Sequence, residues 1–312
     1  MTRFDTRAAV FKDRSKIIAD KTPDCDNYRL MNLPTESAAQ FARDQLAAGC
    51  QTMKQLLIGM MDSKGRVADD VHAIRKLAKS LRGGFSLFQL DKSSALEIQA
   101  VSRLLSGPRD AVSRANTWHK LAWIGDQRVA AAITALLYQH THSASRRPPP
   151  ETIAWCVDRV DAALNELHQM PTEHLAAQIA AGLARLEHKT FKCFRKLDRR
   201  SDKDFHKTRK MLKAWLGANG FLPAEQVTRN PKLEKLADLL GDENDLATLG
   251  LWLENHGFTP IFAPALWKTL KASRRQLQQE VIKDVSRLTP SVSDLGSRAC
   301  LRARSGNPSI EN

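Results

Sequence analysis

The stretches VHAIRKLAKSLR at residues 71–82 and FHKTRKMLKAW at residues 205–215 carry the same pattern of basic side chains. In each stretch a histidine is followed at i+3, i+4 and i+7 by an arginine and two lysines. That spacing places four nitrogen-bearing side chains on one face of an α-helix. We call the two sets row 1 and row 2; they are His72, Arg75, Lys76 and Lys79, and His206, Arg209, Lys210 and Lys213.

The opposite face of each stretch is apolar. Ile74 and Leu81 lie across the helix from row 1, and Leu212 and Trp215 lie across from row 2. Each helix can therefore pack one face into a core and keep its basic face in water. An ordinary solvent-exposed face mixes acidic and basic residues, but neither row contains a carboxylate. The two rows together favour binding of a repeating, multivalent anion over a merely solvated surface.

The bulk composition agrees with an anionic partner. The chain of 312 residues has 48 Lys and Arg against 34 Asp and Glu, a formal net charge of +14. Such an excess attracts nucleic acid, an inorganic phosphate polymer, an anionic membrane or an acidic protein. No apolar run approaches the ~18 residues of a membrane span, and the N-terminus lacks the pattern of a secretory signal. Five scattered cysteines without a CxxC pair are typical of reduced thiols in a cytosol, so we expect a cytoplasmic protein.

Helical periodicity dominates from residue 34 onward, and no alternating pattern predicts a strand. Residues 1–33 are interpreted as an N-terminal arm and residues 289–312 as a flexible basic tail. Gly83 and Gly84 fall inside the helix that carries row 1, where we expect them to weaken or kink its end. Helices are predicted at 35–61, 70–88, 94–105, 109–123, 126–140, 152–170, 175–200, 204–218, 231–240, 243–256 and 264–288.

Three landmarks recur in the same order with nearly equal offsets. His206 follows His72 by 134 residues, and the triplet Pro-Thr-Glu at 171–173 follows the same triplet at 34–36 by 137. The segments LSGPRDAV at 105–112 and LGDENDLA at 240–247 are offset by 135. The interpretation is an internal duplication, with halves at 34–170 and 171–288. The predicted fold is all-α, with two pseudo-symmetric four-helix bundles around a basic central groove.

Further basic residues extend the candidate site. On the helix before row 2, four cations share one face at i, i+4, i+7 and i+11, and an antiparallel neighbour would bring that face beside row 2. These residues are His188, Lys192, Arg195 and Arg199. In the first half only Lys54 occupies the equivalent place, so we expect row 2 to belong to the stronger anion site.

The remaining chemistry-bearing residues have structural interpretations. Asp242, Glu243 and Asp245 are predicted as helix caps rather than metal ligands. His140 and His142 are predicted as surface residues of a loop, and core packing is predicted for most of the six tryptophans. No nucleotide-binding, metalloprotease or nucleophile-elbow motif is present, and neither a metal nor a cofactor is predicted.

The motifs at 71–82 and 205–215 resemble the signature of the CHAD family, and the segments at 105–112 and 240–247 resemble its second signature, an RD or ND turn that opens a helix. Arg109 and Asp110 form the first of these turns and are expected to make a structural ion pair. The resemblance covers about residues 34–288. It implies paired four-helix bundles that flank a basic channel, binding of inorganic polyphosphate, and recruitment to polyphosphate granules.

The family's basic positions fall on both rows and on Arg82. The second half departs from the pattern because Leu216 stands where Arg82 stands in the first. No ExExK strand of an adjoining triphosphate tunnel domain is present, so the chain resembles a stand-alone binding module. The leading hypothesis is non-enzymatic binding of inorganic polyphosphate. The alternatives are binding of RNA or DNA, and a polyphosphate-processing enzyme, which would need metal-binding carboxylates facing the groove.

Overall fold

The computed structural model describes residues 35–62, 67–88, 93–144, 147–171, 173, 175–198, 200–227 and 230–288. Within these ranges the chain forms ten α-helices and one short 3₁₀ helix, with no β-strand, so the all-α prediction is confirmed. The helices are α1 (Glu36–Asp62), α2 (Val67–Phe85), α3 (Ser93–Leu104), α4 (Ser106–Leu121), α5 (Gln127–Ala144), α6 (Pro150–Gln169), α7 (Leu175–Arg195), α8 (Asp202–Asn219), α9 (Pro231–Asn255) and α10 (Pro264–Leu288). The predicted arm at 1–33 and tail at 289–312 lie outside the described residues.

Local capping signals place the starts of the helices that matter most here. Ser201 precedes α8, and its side chain accepts a hydrogen bond from the backbone N–H of Asp204. Asn230 precedes α9 and accepts from the N–H of Lys232 at 2.8 Å, while Pro231 occupies the first turn. Each cap satisfies an N–H group that the helix itself leaves without an acceptor.

The helix α9 corrects one prediction. Two helices were expected at 231–240 and 243–256, but the chain is helical without a break from Pro231 to Asn255. Asp242, Glu243 and Asp245 therefore lie in the middle of a helix, and their prediction as caps is wrong. In the first half the corresponding stretch is divided into α3 and α4 at Leu105. Pro108 follows this break, and proline cannot donate the hydrogen bond that a continuous helix would need there.

The tightest helix packing is the crossing of α2 with α8. A Cβ added to Gly83 would lie 2.5 Å from the carbonyl oxygen of Ala214, closer than real Cβ contacts allow. On the other helix, a Cβ on Gly217 would lie 3.3 Å from Cα of Ser80. The two backbones meet because side chains are missing on both sides. The kink expected at Gly83 and Gly84 does not interrupt the helix, since α2 continues to Phe85.

Two clusters of buried side chains form the core. The larger cluster joins α1, α2, α3, α6, α7 and α8 to the first part of α9 and the end of α10. The smaller one joins α4 and α5 to the second part of α9 and the start of α10. Each cluster combines residues from before and after the proposed boundary at residue 170. That boundary stays a prediction, and neither core belongs to one half of the chain.

The α2–α8 crossing can be tested with two glycines of opposite surroundings. We expect Gly83→Ala to lower the free energy of unfolding by about 1–3 kcal/mol, because its new methyl group would overlap the backbone of α8. Gly59 on α1 has nothing within 4 Å of an added Cβ. Gly59→Ala should raise stability by up to about 1 kcal/mol through helix propensity. Urea unfolding curves of both variants measure this, and equal stabilities would contradict the crossing.

Candidate anion-binding site

The two rows lie on helices that touch. Row 1 is on α2 and row 2 is on α8, the pair held together at Gly83 and Gly217. The rows also share one pattern of exposure. The first and third residue of each row are exposed and the second and fourth are half-buried. Eight cationic or titratable side chains are thus carried by two adjoining helices, with His72, Lys76, His206 and Lys210 the most accessible.

Four helices form a closed circuit of contacts around the rows. The helix α2 packs on α8, α8 on α9, α9 on α4, and α4 again on α2. Polar contacts strengthen the α4–α9 side of this circuit. The Ser113 hydroxyl donates to a carboxylate oxygen of Asp245 at 3.2 Å, and Lys120 lies 3.5 Å from Asp242. Several residues of the acidic segment of α9 are therefore used in packing against α4.

Row 1 reaches the junction of α3 and α4 through Arg75. Its guanidinium donates to the carbonyl oxygen of Ser102 at 3.2 Å and to the carboxylate of Asp110 at 3.3 Å. Only 14% of the Arg75 side chain is exposed, so this ion pair is largely removed from water. The sequence predicted a structural ion pair for Asp110 with its neighbour Arg109, whose side chain lies outside the described residues. The structure gives Asp110 a partner on a different helix.

Row 2 reaches the middle of α9. The Nδ1 atom of His206 lies 2.9 Å from the side-chain oxygen of Asn244. A Cβ placed on Gly241 would lie 3.6 Å from Nζ of Lys213, so the lysine ammonium group lies over this glycine. Both contacts fall in the segment that matches the α3–α4 junction in the offset of 135 residues. The two rows therefore face corresponding pieces of the chain.

The other predicted basic residues have separate surroundings. Lys54 on α1 forms an ion pair with Asp161 on α6, with N–O distances of 2.7 and 2.9 Å. Arg82, at the end of α2, is exposed, and partial desolvation together with the positive charge of Arg103 lowers the pKa of its guanidinium. An anion close to Arg82 and Arg103 would relieve that repulsion. The sequence gave no sign of Arg103, which comes from α3.

The basic face on α7 lies beside α8. His188, Lys192 and Arg195 are all exposed, and α7 packs against α8 and α1. Arg199 lies outside the described residues, so the fourth member of this face stays a prediction. No contact joins α7 to α4 or α9 strongly within the described part of the chain. The α7 cations thus approach row 2 from a helix outside the circuit of α2, α8, α9 and α4.

Glu243 is a buried carboxylate with partners on α10. Its side chain is 3% exposed and accepts hydrogen bonds from Arg274, at 2.6 Å from Nη2, and from Gln278 at 2.9 Å. Arg274 also binds Asp202 at the start of α8, at 2.7 Å. Burial alone would lower the pKa of Arg274, but the hydrogen bonds to Asp202 and Glu243 outweigh it and the pKa is raised. Among the described residues no group of three His, Cys, Asp or Glu side chains could hold a metal ion.

His140 corrects the prediction of a surface loop. Both His140 and His142 are on α5, and the ring of His140 packs edge-on against Trp252 at 5.5 Å and His256 at 5.1 Å between ring centres. The core role predicted for the tryptophans is confirmed for Trp118, Trp215 and Trp252, which are buried. Trp155 is 41% exposed instead, with the guanidinium of Arg159 above its ring at 5.5 Å.

Comparison with known proteins agrees with this geometry. The family model of the CHAD domain matches residues 59–254, which contain both rows, the α2–α8 crossing and all of the acidic segment of α9. The chain belongs to the CHAD domain family. No curated protein gives a significant match to it. No helix in the described ranges has the length and apolar character needed to cross a membrane.

A solved CHAD domain has a similar fold. The crystal structure of the CHAD domain from the plant Ricinus communis superimposes with a TM-score of 0.54 at 16% sequence identity, and covers 80% of this chain and 91% of that one. At this identity the likeness concerns the fold. Arg274 lies on α10, beyond the residues that match the CHAD family, yet it supplies the partner of Glu243 within them.

The buried pair can be tested on α10. We expect Arg274→Met to destabilise the protein by about 3–5 kcal/mol, because it leaves Glu243 buried without its charged partner. Replacing Glu243 by Met as well should restore most of that loss. Arg287→Met is the control, since Arg287 pairs with Asp284 on the same helix but is 64% exposed, and it should cost under about 1 kcal/mol. Thermal or urea unfolding measures all three, and equal effects at the two arginines would contradict a buried pair.

Proposed function

We propose that this CHAD protein binds inorganic polyphosphate through rows 1 and 2 and does not turn it over. The observation that carries the proposal is the pair of basic rows, equal in spacing and in exposure, on two helices in direct contact. A linear phosphate polymer has a charge on every unit, so it can engage several side chains of both rows at once. The CHAD family is associated with polyphosphate binding, which supports the same ligand.

The mixture of side chains suits this ligand. Arg75 and Arg209 are half-buried and carry planar guanidinium groups, which can grip two oxygens of one phosphate. Lys76 and Lys210 are exposed and supply mobile charge that can adapt to neighbouring phosphates. The histidines that begin the rows add donors whose charge changes near neutral pH. One side of each helix therefore offers both fixed and adaptable contacts.

We also propose that the rows descend from an internal duplication whose pseudo-two-fold axis passes near the α2–α8 crossing. Gly83 packs on Ala214 and Gly217 packs on Ser80. Gly217 follows Gly83 by 134 residues, and Ala214 follows Ser80 by the same number. The contact is thus reciprocal at the offset that also relates the rows. Such symmetry supports a shared basic groove between two related halves.

The first experiment removes one exposed lysine from each row. We expect Lys76→Gln with Lys210→Gln to weaken binding of long-chain polyphosphate at least about tenfold, because two phosphate contacts are lost. The slope of log affinity against log salt should become shallower by about 1.4. The matched control is Lys268→Gln with Lys271→Gln, which removes the same charge from exposed positions of α10. Calorimetry at several salt concentrations measures both, and equal losses in the two variants would refute the rows as the site.

A second experiment separates this proposal from its alternatives. We expect RNA, at equal phosphate concentration, to displace polyphosphate poorly, since a dedicated phosphate-chain site does not recognise bases or ribose. We expect no release of orthophosphate from polyphosphate with Mg²⁺ or Mn²⁺ present. Efficient displacement by RNA would favour nucleic-acid binding, and phosphate release that the Lys76→Gln, Lys210→Gln variant abolishes would favour an enzyme.

Cellular targeting is part of the proposal. A fluorescent fusion of the wild-type chain is expected at cytoplasmic polyphosphate granules, and the fusion with both row lysines replaced is expected to be diffuse. Diffuse signal for the wild type would count against recruitment, while leaving the binding measured in solution intact.

A further inference from the structure

A cavity of about 610 Å³ lies between α4 and α5, beside the circuit of helices that carries the rows. Its lining residues are Gly107, Ala111, Arg114, Gln139, His140 and Ser143. Four of the six have side chains that can donate hydrogen bonds, and no carboxylate is among them. The volume falls within the range of small-molecule sites. Such a lining is complementary to a small anion.

Arg114 is the charged group of this cavity. Its guanidinium carbon lies 5.8 Å from the centre of the Trp252 ring, which holds it by a cation–π contact. Within the part of the chain that the structure describes, its Nε atom is buried and has no hydrogen-bond partner. Desolvation lowers the pKa of Arg114, and the charge of Asp110 opposes that change only in part. An anion in the cavity would supply the acceptors that this partly desolvated guanidinium needs.

His140 gives the opposite wall a second group that an anion would stabilise. Its ring lies against Trp252 and His256, and Trp252 stacks on His256 with 4.2 Å between ring centres. Desolvation, then the charges of His256 and Arg114, lower the pKa of His140. Two histidines and an arginine are thus gathered around one tryptophan. A negative charge between Arg114 and His140 would offset their mutual repulsion.

The beginning of α4 adds backbone donors. Leu105 stands at the cap position and makes no side-chain hydrogen bond to the first turn. Gly107 lies in that turn and lines the cavity, and a Cβ added to it would meet nothing within 4 Å. The first N–H groups of a helix have no acceptor within the helix and favour anions. The open space over Gly107 lets a ligand approach them closely.

We propose that this cavity is a second anion site, which takes a short oligophosphate or another small molecule bearing phosphoryl groups. It is distinct from the rows, because Asp110 stands between them: its carboxylate is 3.3 Å from Arg75 and also acts on Arg114. The ligand can be a free oligophosphate or the end of a longer chain. The site stands on its own lining residues, so it does not depend on whether the rows bind polyphosphate.

Filling the cavity tests the proposal. The probe is tripolyphosphate, and the background is the Lys76→Gln, Lys210→Gln variant, so that the rows contribute little. We expect this background to retain binding in calorimetry, and Gly107→Trp added to it to weaken binding at least tenfold by occupying the cavity. Gly59→Trp is the matched control, since Gly59 also has open space around it but lies on α1. It should leave the affinity unchanged.

Other results would overturn the site. They are loss of tripolyphosphate binding in the background itself, or equal affinities for the Gly107→Trp and Gly59→Trp proteins. Should Gly107→Trp fail to fold, as judged by circular dichroism, Arg114→Gln decides, and unchanged affinity there would also refute the proposal. Chains of different length at equal total phosphate identify the source. Affinity that follows the number of chain ends indicates terminal phosphates, and binding confined to short chains indicates a free oligophosphate.

Discussion

The close approach of α2 and α8 is the contact on which the arrangement of this protein depends. A helix pair normally keeps its axes apart by the side chains between them. Here Gly83 and Gly217 remove those side chains, and the backbone of each helix touches the other. Both helices use their apolar faces for the core, so their basic faces are left over at a separation that the crossing determines. The distance between the two basic rows follows from two missing methyl groups.

Electrostatics then divides the cations into two kinds. Some are anchored by carboxylates on neighbouring helices: Arg75 by Asp110, Lys54 by Asp161, and Arg274 by Glu243 and Asp202. These pairs tie helices together and orient the arginines. Others, such as Lys76 and Lys210, project into solvent from the same helices. A single row therefore contains residues that hold the structure and residues that are accessible to a ligand, and residue type alone does not separate them.

Particular errors of the sequence analysis have physical causes. Gly83 and Gly84 were expected to weaken α2, because helix propensity considers one helix and not its neighbour. The crossing turns the same residues into a requirement for packing. The acidic segment near Gly241 resembled a helix start, yet α9 runs through it because Leu240 and Leu249 are buried on either side. Burial of several leucines outweighs the roughly 1 kcal/mol that one glycine costs. His140 was assigned to a loop because its partners, Trp252 and His256, are over 100 residues away.

The sequence by itself determined that the chain is helical, that two of its helices carry matching basic rows, and that both rows lie opposite apolar faces. Periodicity is a local property, so side-chain spacing is sufficient to show it. Only the tertiary structure decided that the two helices touch, that Asp110 and Arg274 serve as partners for distant charges, and that α4 and α5 enclose a cavity lined by hydrogen-bond donors. Each of these features joins residues far apart in the chain, and which helix faces meet depends on the packing of the whole core.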